Sequence, residues 1–217
     1  MKGSLNSEYF SELLKVNVLD KQYCEIAEQL YFRAINYEKN KMALQGVVHY
    51  RVLDQTMVIY VQIKTGIKLS VSMPLPEECL NRWGISQEAV YKDVMKNTMK
   101  LNPASFFAMD KVLATKTPDG VPQLSVLTSK AGVNGAICMW YPGEMEKCSE
   151  IIGGDFYIIP SSIEEVLIFP ASKNEDEDTL KEMVYSTNRD GQVINQNQIL
   201  SDHVYYYCRA SKTLAII

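Results

Sequence analysis

The 217-residue chain is 47% hydrophobic and 22% charged, a composition typical of a globular domain, which excludes the profile of a disordered segment. A chain of this length buries about 70% of its extended surface on folding, so it needs neither a disulfide nor a metal ion for stability. The net charge of -4, with Lys and Arg scattered along the sequence, disfavours nucleic acid and anionic membranes as partners.

Two helices are predicted near the N-terminus. The first covers residues 8–15 and the second covers residues 21–38. In the second, Asp20 is a suitable N-cap, and apolar side chains follow at three- and four-residue spacing on one face. This apolar face is expected to pack on a sheet.

Three strands are expected next. Residues 47–53 and 57–63 are rich in β-branched and aromatic side chains and flank a short polar segment, which predicts a hairpin. After Gly66, residues 67–73 alternate between apolar and polar side chains, the pattern of a strand with one solvated face. These features indicate an antiparallel sheet.

The middle of the chain predicts helices separated by turn residues. A short helix lies between Pro76 and Gly84, and a longer one is capped by Ser86 and reaches about residue 100. Another short helix is predicted over residues 104–114. The clearest turn cluster, Lys-Thr-Pro-Asp-Gly, follows, and any boundary between two lobes is expected near residues 116–121.

Hairpins dominate the C-terminal half. One is predicted from residues 124–128 and 136–141, and a second from Phe156–Ile159 and 165–169. A helix over residues 142–152 is predicted to separate them, because a proline begins it and glycines follow it.

The chain is predicted to close with a helix and a third hairpin. A helix is predicted to begin with the acidic run 175–178 and to reach about residue 188. Negative charge is favourable in the first turn of a helix, because its N–H groups are exposed there. A polar loop at 192–198 precedes strands at 203–208 and 213–217.

Hairpins mixed with helices, without regular β-α-β alternation, predict an α+β fold. The expected architecture is a single domain over residues 1–217, built mainly from antiparallel sheets with helices packed on one face.

The chain carries no recognised catalytic signature. A serine triad is not expected, because the G-x-S-x-G elbow of a nucleophilic serine is missing and the chain has only two histidines. His49 lies in the middle of a predicted strand and His203 opens the last predicted hairpin, so both are interpreted as packed or surface histidines. The sequence also lacks zinc and calcium motifs, and its glycines do not have the spacing of a phosphate loop. We therefore expect no metal ion and no cofactor, and ionisable side chains that stay solvated and apart.

The cysteines favour a reducing compartment. Five occur, far apart, and none forms a C-x-x-C pair. An odd number of cysteines, with no signal peptide and no N-glycosylation sequon, predicts a cytoplasmic protein. The longest uncharged stretch, residues 131–143, is shorter than the ~20 residues of a membrane-spanning helix, so no membrane segment is expected.

A second hypothesis assigns a hydrolytic role to acidic residues. Asp155, Glu164 and Glu165 flank the second predicted hairpin, and paired carboxylates hold Mg²⁺ in nucleases. A restriction-type nuclease core also needs a lysine two residues past the second acid, where this chain has Val166 and Leu167. A divalent-metal hydrolase or nuclease is therefore the alternative.

Tyrosine is abundant, with 13 residues of which Tyr205, Tyr206 and Tyr207 are consecutive. On a strand, the middle ring faces opposite to its two neighbours. An aromatic ring that protrudes from a strand can anchor a partner. A structural role is the stronger alternative, because tyrosine favours strands and packs its ring while the hydroxyl reaches water.

Several segments resemble a known family. They are residues 34–40, 126–130, 135–136, 141–142, 159–163, 165–166 and 200–202, with Val204, Tyr205 and Tyr207. In order and spacing over about residues 25–209, the chain resembles domain-of-unknown-function proteins common in clostridial gut bacteria. Members extend further at the N-terminus, so this chain resembles a short version. The resemblance implies a bacterial protein and supplies no activity.

The chain departs from this family at one position. The family pattern often reads Pro-Ser-Ser-Ile-His-Glu, and Glu164 stands at the histidine position here. The departure weakens an enzymatic role for the turn and leaves a surface role intact.

The leading hypothesis is a cytoplasmic bacterial binding or regulatory module without catalysis, whose partner is a protein. The turn of the second hairpin and the tyrosine-rich strand supply the candidate binding residues: Ser161, Ser162, Glu164, Glu165, Tyr205 and Tyr207. No catalytic residue is assigned, and the sequence leaves the oligomeric state open.

Overall fold

The computed structural model describes residues 18–65, 69–110, 123–171, 177–190 and 197–217. The helix predicted over 8–15, the turn and lobe boundary predicted over 116–121, and most of the polar loop at 192–198 lie outside these residues.

Ten strands and six α-helices lie wholly within the described residues, with two short 3₁₀ helices at Ala27–Gln29 and Gly135–Trp140. The strands are β1 Leu30–Asn36, β2 His49–Val52, β3 Gln55–Thr65, β4 Leu69–Pro74, β5 Ala104–Ala108, β6 Ser125–Ser129, β7 Phe156–Ile159, β8 Glu165–Pro170, β9 Tyr205–Cys208 and β10 Thr213–Ile216. The helices are α1 Tyr23–Ile26, α2 Tyr37–Asn40, α3 Glu77–Trp83, α4 Gln87–Leu101, α5 Glu144–Ile152 and α6 Glu177–Arg189. The predicted α+β class is confirmed.

The strands form two sheets. In the four-stranded sheet the order is β1-β3-β2, and β4 pairs antiparallel with β3. The six-stranded sheet has the order β10-β9-β7-β8-β6-β5, and every neighbouring pair is antiparallel. At its centre, Ile158 lies opposite Ile168 on one side and Tyr205 on the other. Antiparallel hairpins explain how short strands separated by turn residues build this sheet.

The chain divides into two compact units. The first contains Met1–Phe32, Asn40–Tyr50 and Val58–Leu101, and the second contains Arg33–Lys39, Arg51–Met57 and Asn102–Ile217. Fully buried side chains in the first unit include Leu30, Phe32, Ile59, Leu75 and Val94. In the second unit they include Leu127, Ile137, Phe156, Ile158, Ile168 and Tyr205. The six-stranded sheet lies in the second unit.

The long helix predicted over 21–38 is wrong. Helix α1 ends at Ile26, and the chain enters β1 at Leu30. Leu30, Tyr31 and Phe32 are buried in succession, so this strand is covered on both faces. A continuous apolar run contains residues at helical spacing by coincidence, and periodicity alone does not separate a buried strand from a helix.

Two further predicted elements are corrected. Residues 104–108 form β5 instead of a helix, with Phe106 opposite Leu127 of β6, while 111–114 lie outside the described residues. The strand predicted over 136–141 is the 3₁₀ helix Gly135–Trp140, whose residues 135–139 are all buried. Asn134, with φ of 50°, turns the chain just before this helix and prevents a hairpin with β6.

Elements with explicit cap or turn residues were predicted closely. Gly84, with φ of 63°, ends α3, and the Ser86 hydroxyl accepts a hydrogen bond from the Ala89 amide at 3.2 Å at the start of α4. Gly153, with φ of 88°, ends α5. The predicted hairpin of β7 and β8 is confirmed. Of the helices in the described ranges, none has the length and apolar character needed to cross a membrane.

Candidate functional site

Two neighbouring turns of the second unit carry four of the six predicted binding residues. We call residues 129–135 and 160–165 the turn pair. Thr128 donates a side-chain hydrogen bond to the Glu164 carbonyl at 2.7 Å, and the Glu164 carboxylate accepts one from the Asn134 amide at 2.5 Å. The Ala136 amide donates to the Ile163 carbonyl at 3.2 Å. Three hydrogen bonds therefore join the two turns, and all of them are donated from the first turn or its flanking residues to acceptors in the second turn.

Gly135 brings the turns into close backbone contact. A Cβ at this position would overlap Thr128 Oγ1, the Glu164 carbonyl and the Ser129 amide. Within the first turn, the Ser129 hydroxyl donates to the Val133 carbonyl at 2.9 Å and accepts from the Val133 amide at 3.2 Å. These contacts give the first turn a defined conformation.

The second turn is also held from its other side. The Ile163 amide donates to the Gln198 carbonyl at 2.9 Å, and the Ser201 amide donates to the Pro160 carbonyl at 3.3 Å. The Ser162 hydroxyl accepts from the Glu164 amide at 3.2 Å. The 160–165 turn is thus bound on two sides by backbone hydrogen bonds, which limits its freedom without burying it.

The exposed part of the turn pair is mixed in character. Val133 is an apolar side chain that is 52% exposed, and Lys130 beside it in the same turn is also exposed. Ser161, Ser162 and Glu165 are half-buried. Glu164 is also half-buried. It connects the two turns, because its carbonyl accepts a hydrogen bond from Thr128 and its carboxylate accepts one from Asn134.

The exposed aromatic surface expected at the C-terminal strand is wrong for Tyr205 and Tyr207. Their exposed fractions are 0% and 2%. Tyr207 stacks on Phe156 with 4.9 Å between ring centroids, so packing on the sheet core explains its burial. Tyr206 faces the opposite side of β9, as the strand alternation predicts, and is half-buried.

The acids of the metal-hydrolase alternative do not converge. Asp155 immediately precedes β7, and Ala171 immediately follows β8. The Asp155 carbonyl accepts a hydrogen bond from the Ala171 amide at 2.9 Å. Glu164 and Glu165 lie at the opposite end of the same hairpin. The four residues of β7 separate the two ends by about 13 Å. The described part of the chain contains no group of three His, Cys, Asp or Glu residues that could hold a metal ion.

A polar cluster that the sequence analysis did not predict surrounds Asp54. Its carboxylate Oδ2 accepts hydrogen bonds from the Ser201 hydroxyl at 2.5 Å and from His203 Nδ1 at 2.9 Å. Its Oδ1 accepts one from the Tyr205 hydroxyl. The Ser201 and Tyr205 side chains are fully buried, and the His203 side chain is 52% exposed. An acid and an imidazole therefore meet here, so the expectation that ionisable groups stay apart is wrong.

A chain of hydrogen bonds continues from this cluster into the core. Trp140 Nε1 donates to the Gln55 side-chain oxygen at 3.0 Å, and Gln55 Nε2 donates to the Tyr205 hydroxyl at 2.8 Å. Burial, and secondly the negative charge of Asp54, raise the pKa of Tyr205 well above its ordinary value. The hydroxyl therefore keeps its proton and directs it at Asp54.

The comparison with protein families assigns the chain to a group without a known activity. A family model described as "Family of unknown function (DUF5688)" matches residues 11–209. The chain belongs to this family. No curated protein and no solved structure matches it. The predicted resemblance to a domain-of-unknown-function family is confirmed, and the DUF5688 match contains every residue of the turn pair and of the Asp54 cluster.

The Asp54 cluster contains the residue types of a serine-hydrolase triad in a different arrangement. In a triad the serine bonds to the imidazole nitrogen that the acid leaves free. In this DUF5688 protein the Ser201 hydroxyl donates to Asp54, and it accepts from the His203 backbone amide at 2.9 Å. Ser201 is also fully buried, so it is not placed to act as a nucleophile.

Sequence reasoning missed this cluster because its parts lie far apart in the chain. Asp54 follows Leu53, whose φ of 56° marks a tight turn between β2 and β3. Because aspartate is common in turns, the sequence gives no sign that Asp54 has another role. Ser201 and His203 precede β9. The one available signal was the polar stretch 201–203 inside an otherwise buried apolar segment.

We predict that Tyr206→Phe raises the pKa of Asp155 towards its ordinary value. The Tyr206 hydroxyl donates to the Asp155 carboxylate at 2.5 Å and the Arg209 amide donates at 2.8 Å, and these bonds lower the pKa of Asp155 in that order of importance. A depressed folded-state pKa stabilises the protein above the unfolded pKa, and this stability is lost as pH falls through the folded value. The variant should therefore lose less stability on acidification than the wild type.

The measurement is a carboxyl NMR titration of Asp155, together with urea unfolding across the acidic range. Asp155 in turn raises the pKa of Tyr206 to about 12, so the same bond stabilises the protein below pH 10 and is lost as pH rises through about 12. Tyr185→Phe, at an exposed tyrosine, is the control and should leave Asp155 unchanged. An unchanged Asp155 titration in Tyr206→Phe would contradict the prediction.

Proposed function

We propose that this protein is a binding or regulatory module of the bacterial cytoplasm that recognises a protein partner through the turn pair, and that this surface has no catalytic role. The observation that carries the proposal is the double attachment of the 160–165 turn, to the 129–135 turn on one side and to Gln198 and Ser201 on the other. The residues predicted from the sequence, Ser161, Ser162, Glu164 and Glu165, belong to this surface.

A turn that is already ordered binds with a smaller entropic cost. Ordering a side chain or loop at an interface costs about 0.5–1.5 kcal/mol per immobilised side chain. In the turn pair, hydrogen bonds through Thr128, Ser129 and Glu164 have already fixed the backbone. A preformed surface of this kind supports recognition of a folded partner or of an extended peptide.

The chemistry of the exposed atoms supports a protein as partner. Val133 supplies an exposed apolar side chain, and the hydroxyls of Ser161 and Ser162 and the carboxylate of Glu165 lie on the neighbouring turn. An apolar contact surrounded by polar groups is typical of protein interfaces. One cation, Lys130, next to several acceptors gives no basis for phosphate binding.

The test compares Val133→Asp with a matched control at a second exposed apolar position. Ile151 on α5 is 71% exposed and belongs to the same unit, so Ile151→Asp adds the same charge elsewhere. Tagged wild-type and variant proteins are crosslinked in extract of the host cell, and captured proteins are quantified by mass spectrometry. A protein recovered with wild type and Ile151→Asp should be reduced at least about tenfold with Val133→Asp, a loss of roughly 1.4 kcal/mol.

The captured protein is then purified, and its binding to all three forms is measured by calorimetry. Binding that weakens only in Val133→Asp supports the proposal. Equal binding by Val133→Asp and wild type, or the recovery of nothing beyond the tagged protein, would overturn it.

A further inference from the structure

We propose that His203 is a general base, held in place by Asp54 as its positioning residue, and that it activates water for the hydrolysis of small neutral esters. The site is distinct from the turn pair and does not depend on the function proposed there. It rests on the geometry of the Asp54 cluster in the second unit.

The hydrogen bond to Asp54 determines which imidazole nitrogen is free. An ionised carboxylate only accepts hydrogen bonds, so at 2.9 Å from Asp54 Oδ2 the Nδ1 of neutral His203 is the protonated nitrogen. Nε2 then carries the lone pair that accepts a proton. Among the described residues, none forms a hydrogen bond with His203 Nε2, and the side chain is 52% exposed. The free nitrogen is therefore open to water.

Asp54 is itself held in place. The buried hydroxyls of Ser201 and Tyr205 donate to its two oxygens, and Gln55 fixes the Tyr205 hydroxyl from behind. The Asp54 carbonyl also accepts a hydrogen bond from the Tyr37 amide at 3.1 Å. A carboxylate with this support orients the imidazole and stabilises the imidazolium that forms when Nε2 takes a proton.

Ser201 Oγ is buried and donates to Asp54, so it is not the nucleophile, and the proposal assigns that role to water. His203 Nε2 removes a proton from a water molecule as the water oxygen bonds to the ester carbonyl carbon and the π electrons of the carbonyl move onto its oxygen, giving a tetrahedral oxyanion. The oxyanion then re-forms the carbonyl. The bond from that carbon to the leaving oxygen then breaks, and the imidazolium returns its proton to the leaving alkoxide or to solvent. The net reaction is ester plus water to acid plus alcohol, with no other reactant.

The charge around the ring restricts the substrate. Asp54 bonds to the imidazole, and Asp202 is its neighbour in the chain. Arg189 lies 3.5 Å from Asp202 and offsets part of that charge. The Asp54 carboxylate bonded to the imidazole disfavours anionic substrates such as phosphate esters. Uncharged esters fit the site better.

The protein contains two histidines, and the second is a matched control. His49 Nδ1 lies 2.8 Å from the Val47 carbonyl, so its neutral ring also carries the proton on Nδ1, but its partner there is a backbone carbonyl and not a carboxylate. The probe is p-nitrophenyl acetate, which is small and uncharged. His203→Gln should lower the protein-dependent rate at least about tenfold, since a positioned general base contributes ~10²–10⁴-fold. His49→Gln should leave it unchanged.

Asp54→Asn tests the positioning role. An asparagine that presents its amide N–H to His203 Nδ1 moves the imidazole proton to Nε2, which removes the base. A long-range ¹H–¹⁵N spectrum of the imidazoles should show this change at His203 and not at His49, and the ester rate should fall with it. If Asp54→Asn fails to fold, Ser201→Ala is measured in its place: it removes one of the two hydroxyls that hold the Asp54 carboxylate, so the ester rate should fall, while the tautomer of His49 should stay as in the wild type.

Three results would overturn the proposal. They are equal rates for wild type and His203→Gln, a wild-type His203 whose Nδ1 is unprotonated in the neutral ring, and accumulation of an acetylated histidine in place of direct hydrolysis. Ile151→Asp, at an exposed residue of neither site, should keep the full ester rate. A failure here and a failure of the binding proposal are therefore separable.

Discussion

Gly135→Ala is expected to lower the free energy of unfolding by about 3 kcal/mol, because the new methyl group has no room between the two turns. Its Cβ would overlap Thr128 Oγ1, the Glu164 carbonyl and the Ser129 amide. Two of these atoms belong to the backbone, and the third is held by its hydrogen bond to Glu164. Rotation of a side chain therefore does not relieve the clash.

Gly154→Ala is the matched control. A Cβ at Gly154 meets nothing within 4 Å, and its φ lies outside the left-handed region. This variant should change stability by no more than about 0.5 kcal/mol. Urea unfolding followed by tryptophan fluorescence measures both, and the thermal midpoint of Gly135→Ala should fall by roughly 6–12 °C. If the two variants were equally stable, the close contact between the turns would be disproved.

The sequence predicted those elements whose ends carry a chemical signal. Gly84 and Gly153 end helices, Ser86 begins one, and the apolar strands around the 160–165 turn form the predicted β7–β8 hairpin. In each case a local preference and the final structure agree, so no long-range information was needed.

The failures at β1 and at the 3₁₀ helix Gly135–Trp140 have one physical origin. At residues 30–32 and 136–139 the chain is apolar at successive positions, and all of these residues are buried. Burial on every side removes the contrast between inward and outward positions on which periodicity depends. The choice between strand and helix is then made by packing partners, such as the neighbouring strand β3 for β1, which lie elsewhere in the sequence.

The candidate sites divide in the same way. The 160–165 turn is continuous in sequence, and its residues were predicted as a group. The Asp54 cluster joins residues about 150 positions apart, as in the 151-residue separation of Asp54 and Tyr205. No local pattern specifies such a contact. Tyr205 and Tyr207 were identified as important, but their importance lies in the core and not at the surface.

Asp54→Ala is expected to lower the free energy of unfolding by about 3–5 kcal/mol. The variant removes the acceptor of two buried hydroxyls, those of Ser201 and Tyr205, whose side chains are fully buried. A buried donor that loses its partner costs about 1–3 kcal/mol, because it had already given up its hydrogen bonds to water. His203 is half-exposed and can bond to solvent, so it adds little to this loss.

A double-mutant cycle separates the bond to Tyr205 from the rest of the effect. Tyr205→Phe alone deprives Gln55 Nε2 of its acceptor and Asp54 of one donor. In the double variant Asp54→Ala with Tyr205→Phe, no stranded hydroxyl remains at position 205. The loss should therefore be smaller than the sum of the two single losses, by about 1–2 kcal/mol. Urea unfolding of the four proteins gives this coupling, and strict additivity would mean that the Tyr205 hydroxyl does not depend on Asp54 in the folded protein.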